Sequence, residues 1–164
     1  MAAKRIVIAA VQVPFTRGGA ELLVEGLAGA LREHGHSVEV VQLPFSWSPD
    51  KREIVRGCLA WRLLNLETVS ELPVDQVICT KFPSYVLRHP RKVVWLVHQH
   101  RQAYDWYGTA YSDFSYREED REVRQVIQRI DRRCLGEAWR LYTISQNVSR
   151  RLAHYNGLRS TPLY

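Results

Sequence analysis

The stretch Lys4-Arg5-Ile6-Val7-Ile8-Ala9-Ala10-Val11-Gln12-Val13-Pro14-Phe15-Thr16-Arg17-Gly18-Gly19-Ala20-Glu21 decides how the rest of the chain is read. Ile6 to Val13 is apolar at almost every position, which is the pattern of a parallel strand covered on both faces rather than one with a wet side. Ala20, Leu23, Val24, Leu27, Ala28 and Leu31 then recur at helical spacing as far as His34. Strand, glycine turn and helix follow one another without a gap. Two adjacent glycines at such a turn allow either positive φ or close backbone approach to a ligand. The helix start adds N–H groups without intrahelical partners and a positive dipole end, both suited to a phosphate. Gly18 and Gly19 are therefore candidate phosphate-binding residues, with an ordinary tight turn as the alternative. The full G-x-G-x-x-G dinucleotide pattern is absent.

The alternation continues outward. Gly35 stops the first helix, Val38 to Leu43 reads as a second strand, and Pro44 to Pro49 as a loop carrying Phe45 and Trp47. Lys51 to Leu66 reads as a helix with Asp50 at its N-cap. Val74 to Thr80 and Lys92 to His98 read as further strands, and Gln99 to Tyr116 as a long functional loop with room for a short helix. Arg117 to Trp139 has the spacing of a charged helix with Val123, Ile127, Ile130 and Cys134 on one side. Leu141 to Ile144 reads as a strand, and Ser145 caps a last helix stopped by Asn156-Gly157. This order predicts a single α/β domain with a Rossmann-like parallel sheet, Ile6–Val13 central, and helices on both faces. Arg159 to Tyr164 reads as the start of another extended segment.

Composition narrows the class. The chain has 164 residues, 46% hydrophobic and 24% charged, with a net charge of +6. That describes a globular domain with a preference for anionic ligands, without choosing among nucleotide, nucleic acid and lipid headgroup. Cys58, Cys79 and Cys134 form no C-x-x-C pair, so free thiols and a reducing, cytoplasmic setting are expected, with no zinc site at His98 and His100. The charges of Arg117 to Arg133 alternate in sign, as on a solvated helix face, and give no nucleic-acid groove. Arg52, Arg56 and Arg62 lie among apolar residues. They allow a peripheral contact with the inner face of an anionic membrane, or the ordinary packing of a helix on a sheet.

Chemistry concentrates where strands end. His98 closes the apolar strand and emerges at the edge that carries Gly18, within Val97-His98-Gln99-His100-Arg101-Gln102-Ala103-Tyr104. An imidazole there can hydrogen-bond a hydroxyl or move a proton near neutral pH; the alternative is a structural histidine bonded to backbone. Lys81 follows another strand at the same edge, as a phosphate or acidic-acceptor contact or as a solvated lysine.

Gly18-Gly19-Ala20-Glu21 after a first strand resembles the GGAE element of the family 4 retaining glycosyltransferases. Trp95-Leu96-Val97-His98-Gln99-His100 is similar to the histidine-bearing strand exit of those enzymes, and Tyr142-Thr143-Ile144-Ser145-Gln146-Asn147-Val148 to their last N-domain strand and helix. The resemblance spans essentially the whole chain. It implies the GT-B architecture, two Rossmann-like domains with the active site between them. Residues 1–164 would be the N-terminal, acceptor-side domain, and the donor-binding C-terminal domain would lie outside this chain. It further implies a nucleotide-diphosphate sugar as donor and no metal cofactor. Gly18 and Gly19 would approach the donor phosphates and His98 the transferred sugar, and His98 is the candidate catalytic residue. Lys81, His100, Arg101 and Tyr104 are candidates for the surface that meets an acceptor of unknown identity. A non-catalytic Rossmann- or flavodoxin-like module binding a nucleotide or a partner is the alternative.

Overall fold

In the computed structural model, which describes residues 2–45 and 48–164, Arg5–Gln12 forms β1 with all six of its inner residues buried. Trp47 lies outside the described residues. Successive side chains of β1 alternate between the two faces. Ile6, Ile8 and Ala10 pack on Val24 and Ala28 of the helix α1 (Gly19–Glu33). Val7, Ala9 and Val11 join the larger core on the other side. The double-sided apolar run thus has its cause in two separate hydrophobic layers.

The remaining strands and α-helices are β2 (Ser37–Pro44), α2 (Arg52–Leu63), β3 (Thr68–Val69), β4 (Leu72–Pro73), β5 (Gln76–Cys79), β6 (Lys92–Leu96), α3 (Glu118–Gly136), β7 (Arg140–Thr143), α4 (Gln146–Asn156) and β8 (Thr161–Pro162), with short 3-10 turns at Ser84–Val86 and Arg101–Ala103. The main sheet has six strands in the order β2-β1-β5-β6-β7-β8, all paired in parallel. The fold is α/β and Rossmann-like. β1 is an interior strand between β2 and β5, one place from the sheet edge, instead of the central strand expected. Helices lie on both faces but unevenly: α1 covers one, while α2, α3 and α4 pack on the other.

Local chemistry sets the element ends. Gly35 at φ +82° and Gly157 at φ +69° terminate α1 and α4 in the left-handed region. The Ser145 hydroxyl accepts the Val148 N–H at 3.2 Å and caps α4. Asp50 stands one residue before the N-cap of α2, yet its carboxylate still takes the Arg52 N–H at 3.0 Å. The helix ends at Leu63 rather than Leu66. The small hairpin β3–β4 was not foreseen; Ser70 (φ 49°) and Glu71 (φ 64°) form its two-residue turn, and neither residue is a usual marker of that geometry. No helix among the described residues is long and apolar enough to cross a membrane.

The amino end of β6 carries a buried cation. Lys92 is 1% exposed, and its Nζ donates to the carbonyls of Tyr85 and Leu87 at 3.0 Å and of Cys134 at 2.8 Å. Glu137 lies 3.4 Å from the same Nζ and is gripped by both Nη atoms of Arg62 at 2.7 and 2.8 Å. The ammonium thereby ties α3 to the β5–β6 connection. Lys92→Met keeps the stem but leaves three buried carbonyls without their donor. It is expected to destabilise the fold by about 3–5 kcal/mol, read from urea unfolding followed by circular dichroism.

Candidate functional site

Because the main sheet is parallel, β1, β2, β5 and β6 all release the chain at one edge. There a cavity of about 300 Å³ opens between the loops they feed. Val11, Val13, Phe45 and Phe82 supply apolar wall; Lys81, His98, His100, Arg101, Gln102 and Trp106 supply the rest. Lys81, His98, His100 and Arg101 are thus brought together as expected, although His98 stands two residues beyond the end of β6.

The glycine turn joins this site through Glu21. One carboxylate oxygen accepts the Gly18 N–H at 2.9 Å and the other accepts Lys81 Nζ at 3.1 Å. Burial works against ionisation of Glu21, but the hydrogen bonds from Lys81 and Gly18 outweigh it and hold the carboxyl below its ordinary range. Positive φ is not needed at either glycine. Gly18 is extended, at φ −139° and ψ −164°, and among the described residues only Gly35, Gly108 and Gly157 are positive-φ glycines. A Cβ on Gly19 would meet nothing within 4 Å, and one on Gly18 only Glu21 Oε2 at 3.5 Å. The alternative reading, a tight turn that needs positive φ, is therefore not what holds these glycines: the fold does not itself demand glycine at these two places.

His98 Nδ1 lies 2.7 Å from the carbonyl oxygen of Gln99. A carbonyl only accepts, so Nδ1 carries the proton and Nε2 of the neutral ring is a lone-pair acceptor. Burial lowers the pKa below the ordinary value; the Gln99 carbonyl opposes this, and Lys81, Arg101 and Arg151 reinforce it. His100 is 5% exposed, with its ring centroid 5.1 Å from Phe82 and 6.0 Å from both Phe45 and Phe114. Burial brings its pKa down to about 4 against the pull of Asp113, so it too is neutral at pH 7. Among the described residues no third His, Cys, Asp or Glu joins these imidazoles in a group that could hold a metal ion. The three cysteines are buried free thiols.

Arg101 stacks on Trp106 with its guanidinium 3.9 Å from the ring centroid, and donates to Asp105 through Nε at 3.2 Å and Nη2 at 3.0 Å. The other oxygen of Asp105 accepts from Arg151, a residue of α4 that sequence reading passed over. Tyr104 does not belong to the cavity wall. It is 3% exposed, and its hydroxyl donates to Asp131 at 2.8 Å and accepts from Asn156 at 3.1 Å, so it is fixed in the interior and cannot offer a surface to an acceptor.

The interior group that holds Tyr104 was also missed. Asp131 is wholly buried on α3 and takes a second hydroxyl, from Tyr85, at 2.8 Å. Asn156 in turn accepts from the Gln99 side chain at 2.7 Å. A hydrogen-bonded series therefore runs from Tyr85 through Asp131, Tyr104 and Asn156 to Gln99, the residue whose backbone orients His98. A signal was available: Asp131 falls with Ile127, Ile130 and Cys134 on the apolar stripe of its helix, where a carboxylate needs a partner.

The chain matches no protein-family model and has no match among curated proteins.

Burial raises the Asp131 carboxyl from 3.8 to about 7, against the opposing hydrogen bonds from Tyr104 and Tyr85. The folded state therefore holds a proton between about pH 4 and 7 that the unfolded state releases. The stability this group contributes is full at the acid end and is lost as pH rises towards 7. His98 and His100, lowered in the fold, act in the opposite sense, so variant and wild type must be compared at each pH. Asp131→Asn is expected to gain stability relative to wild type steadily from pH 4 to pH 7, measured by chemical denaturation across that range.

Proposed function

We propose that this chain is the acceptor-side domain of a metal-independent retaining glycosyltransferase that uses a nucleotide-diphosphate sugar. The observation that carries the reading is the pair Gly18-Gly19. Neither residue is glycine for a reason internal to the fold, and both stand at a helix start one ion pair away from a cavity holding a neutral, oriented histidine. A side chain here would obstruct an incoming diphosphate, whereas bare backbone lets it approach the first turn of α1.

In this reading the C–O bond to the departing diphosphate breaks and a bond to the acceptor oxygen forms on the same face. The acceptor proton leaves with a phosphate oxygen. His98 accepts a hydrogen bond from a hydroxyl of the transferred sugar through Nε2. It remains neutral because burial and the neighbouring cations disfavour its protonation. The cavity of about 300 Å³ is large enough for a sugar ring but not for a whole nucleotide sugar, in keeping with a donor held mainly by a second domain.

Two substitutions separate ligand binding from folding. Gly19→Ala replaces glycine with a better helix former at the first position of α1, in open space. It is expected to leave stability unchanged or raise it by up to about 1 kcal/mol, while weakening nucleotide-sugar binding measured by titration calorimetry. In the natural-length protein, His98→Ala is expected to lower turnover about 10²-fold with little change in melting temperature. Full activity with early melting would make His98 a structural residue. Tight nucleotide-sugar binding by residues 1–164 alone would favour the self-contained binding module.

A further inference from the structure

Between α2 and α3 the helical layer keeps an apolar groove open to solvent. The groove measures about 700 Å³ and is lined by Val55, Leu59, Val123 and Val126. It continues past Leu59 to Ile130 and Cys134. Leu59 and Leu63, one turn apart on α2, are 56% and 75% exposed. The two walls of the wider half differ in sign: Arg52 and Arg56 stand on the α2 side, Glu119 and Glu122 on the α3 side. The arginines have only local, exposed pairings with Asp50 and Glu53, and pairs of that kind contribute little. Among the described residues Glu119 and Glu122 form no ion pair.

This pattern suits a second copy of the chain better than an anionic membrane. Arg62, on the same helix, is gripped by Glu137. Two unpaired carboxylates stand across from Arg52 and Arg56, so an anionic surface would be repelled along the α3 wall. A two-fold contact lays one patch on itself, so the patch must complement itself in shape and charge. The helices run side by side in one direction, since Arg52 shares the groove with Glu119 and Arg62 bonds Glu137. With the two-fold axis along the groove, α2 of each protomer lies over α3 of the other at the same height. Arg52 and Arg56 of one protomer then face Glu119 and Glu122 of the other, twice over, while Leu59 and Val126 close the seam between them.

We propose that the α2–α3 groove is the interface of a two-fold dimer of this chain, with α2 of each protomer packed on α3 of the other. The contact strip is one 12-residue helix long, about 18 Å, and two helices wide, about 20 Å. That is below the usual size of a stable interface, so the dimer is weak and reversible, with Kd on the order of 10–100 µM. The dimer stands independently of the sugar-transfer reading, since the groove lies away from the strand exits that form the cavity.

The test is sedimentation velocity on the full chain from about 5 to 500 µM at low ionic strength. Wild type is expected to pass reversibly from monomer to dimer, and to associate less in about 0.5 M salt. Reversing one wall, by Arg52→Glu with Arg56→Glu or by Glu119→Lys with Glu122→Lys, is expected to weaken self-association at least about tenfold. Mixing the two reversed proteins is expected to restore a dimer, because each offers the sign that the other lacks. Leu59→Glu, in the middle of the seam, is expected to abolish association. All these positions are exposed, and melting followed by circular dichroism keeps loss of association apart from loss of fold. Should a double variant fail to fold, Leu59→Glu still reports on the interface. A wild-type monomer over the whole range overturns the proposal. So does a dimer indifferent to Leu59→Glu and to both reversals, or reversed proteins that stay monomeric when mixed. Binding of monomeric wild type to phosphatidylglycerol vesicles, lost in the arginine reversal, also overturns it and assigns the face to a membrane.

Discussion

The carboxyl of Asp131 is the constraint on which the ligand edge depends. It is wholly buried, and burying a carboxyl group is unfavourable unless its oxygens are satisfied. Its two oxygens take hydroxyls from Tyr85, in the β5–β6 connection, and Tyr104, in the long segment after β6. Tyr104 then receives the Asn156 amide from the end of α4, and Asn156 holds Gln99. Three separate parts of the chain, the β5–β6 connection, the segment after β6 and the end of α4, are locked to α3 by one polar series. The series specifies a single arrangement of the loops it joins, although the Gln99 side-chain oxygen at its end is buried with no hydrogen-bond partner among the described residues. Positioning of His98 follows, since its ring is held by the carbonyl of Gln99.

The opposite end of β6 is built for a different purpose. Lys92 and Glu137 form a closed knot under the sheet, with the ammonium taken up by carbonyls and the carboxylate by Arg62. The Glu137 carboxyl is held down at about 2, chiefly by its hydrogen bonds to Arg62, and so stays charged through ordinary pH. Nothing there opens onto the cavity at the carboxyl edge. The two ends of one strand therefore divide the work. Polar groups at its amino end bind helix to sheet, while those at its carboxyl end surround an open space. A parallel sheet makes this division natural, because all its strands deliver their exits to the same side.

Within that open space, charge and proton affinity are kept apart. The two imidazoles are neutral because burial and nearby cations disfavour protonation. The permanent charges sit on guanidinium and ammonium groups already paired with carboxylates. A neutral acceptor beside preorganised cations suits a reaction in which a hydroxyl must be held while negative charge develops nearby.

Residues close together along the chain made much of the fold legible from sequence. The run Ile6–Val11 announced a strand covered on both sides, the spacing of Leu23, Val24 and Leu27 announced α1, and Ser145, Gly35 and Gly157 marked helix ends through local backbone chemistry. The convergence of Lys81, His98, His100 and Arg101 was legible too, because parallel pairing sends successive strand exits to one edge. Tertiary structure alone decided the remainder. Tyr104 became an interior hydroxyl, Arg151 a neighbour of the site, and Asp131 the joint between them, through bonds spanning 27 to 52 residues of sequence. The turn at Ser70-Glu71 and the extended backbone at Gly18 were equally silent, since neither geometry is compelled by the residue occupying it. Periodicity records which side of an element is apolar. Which donor meets which acceptor across the core is fixed only when the elements pack, because the cost of burying a polar group is settled by partners distant in sequence.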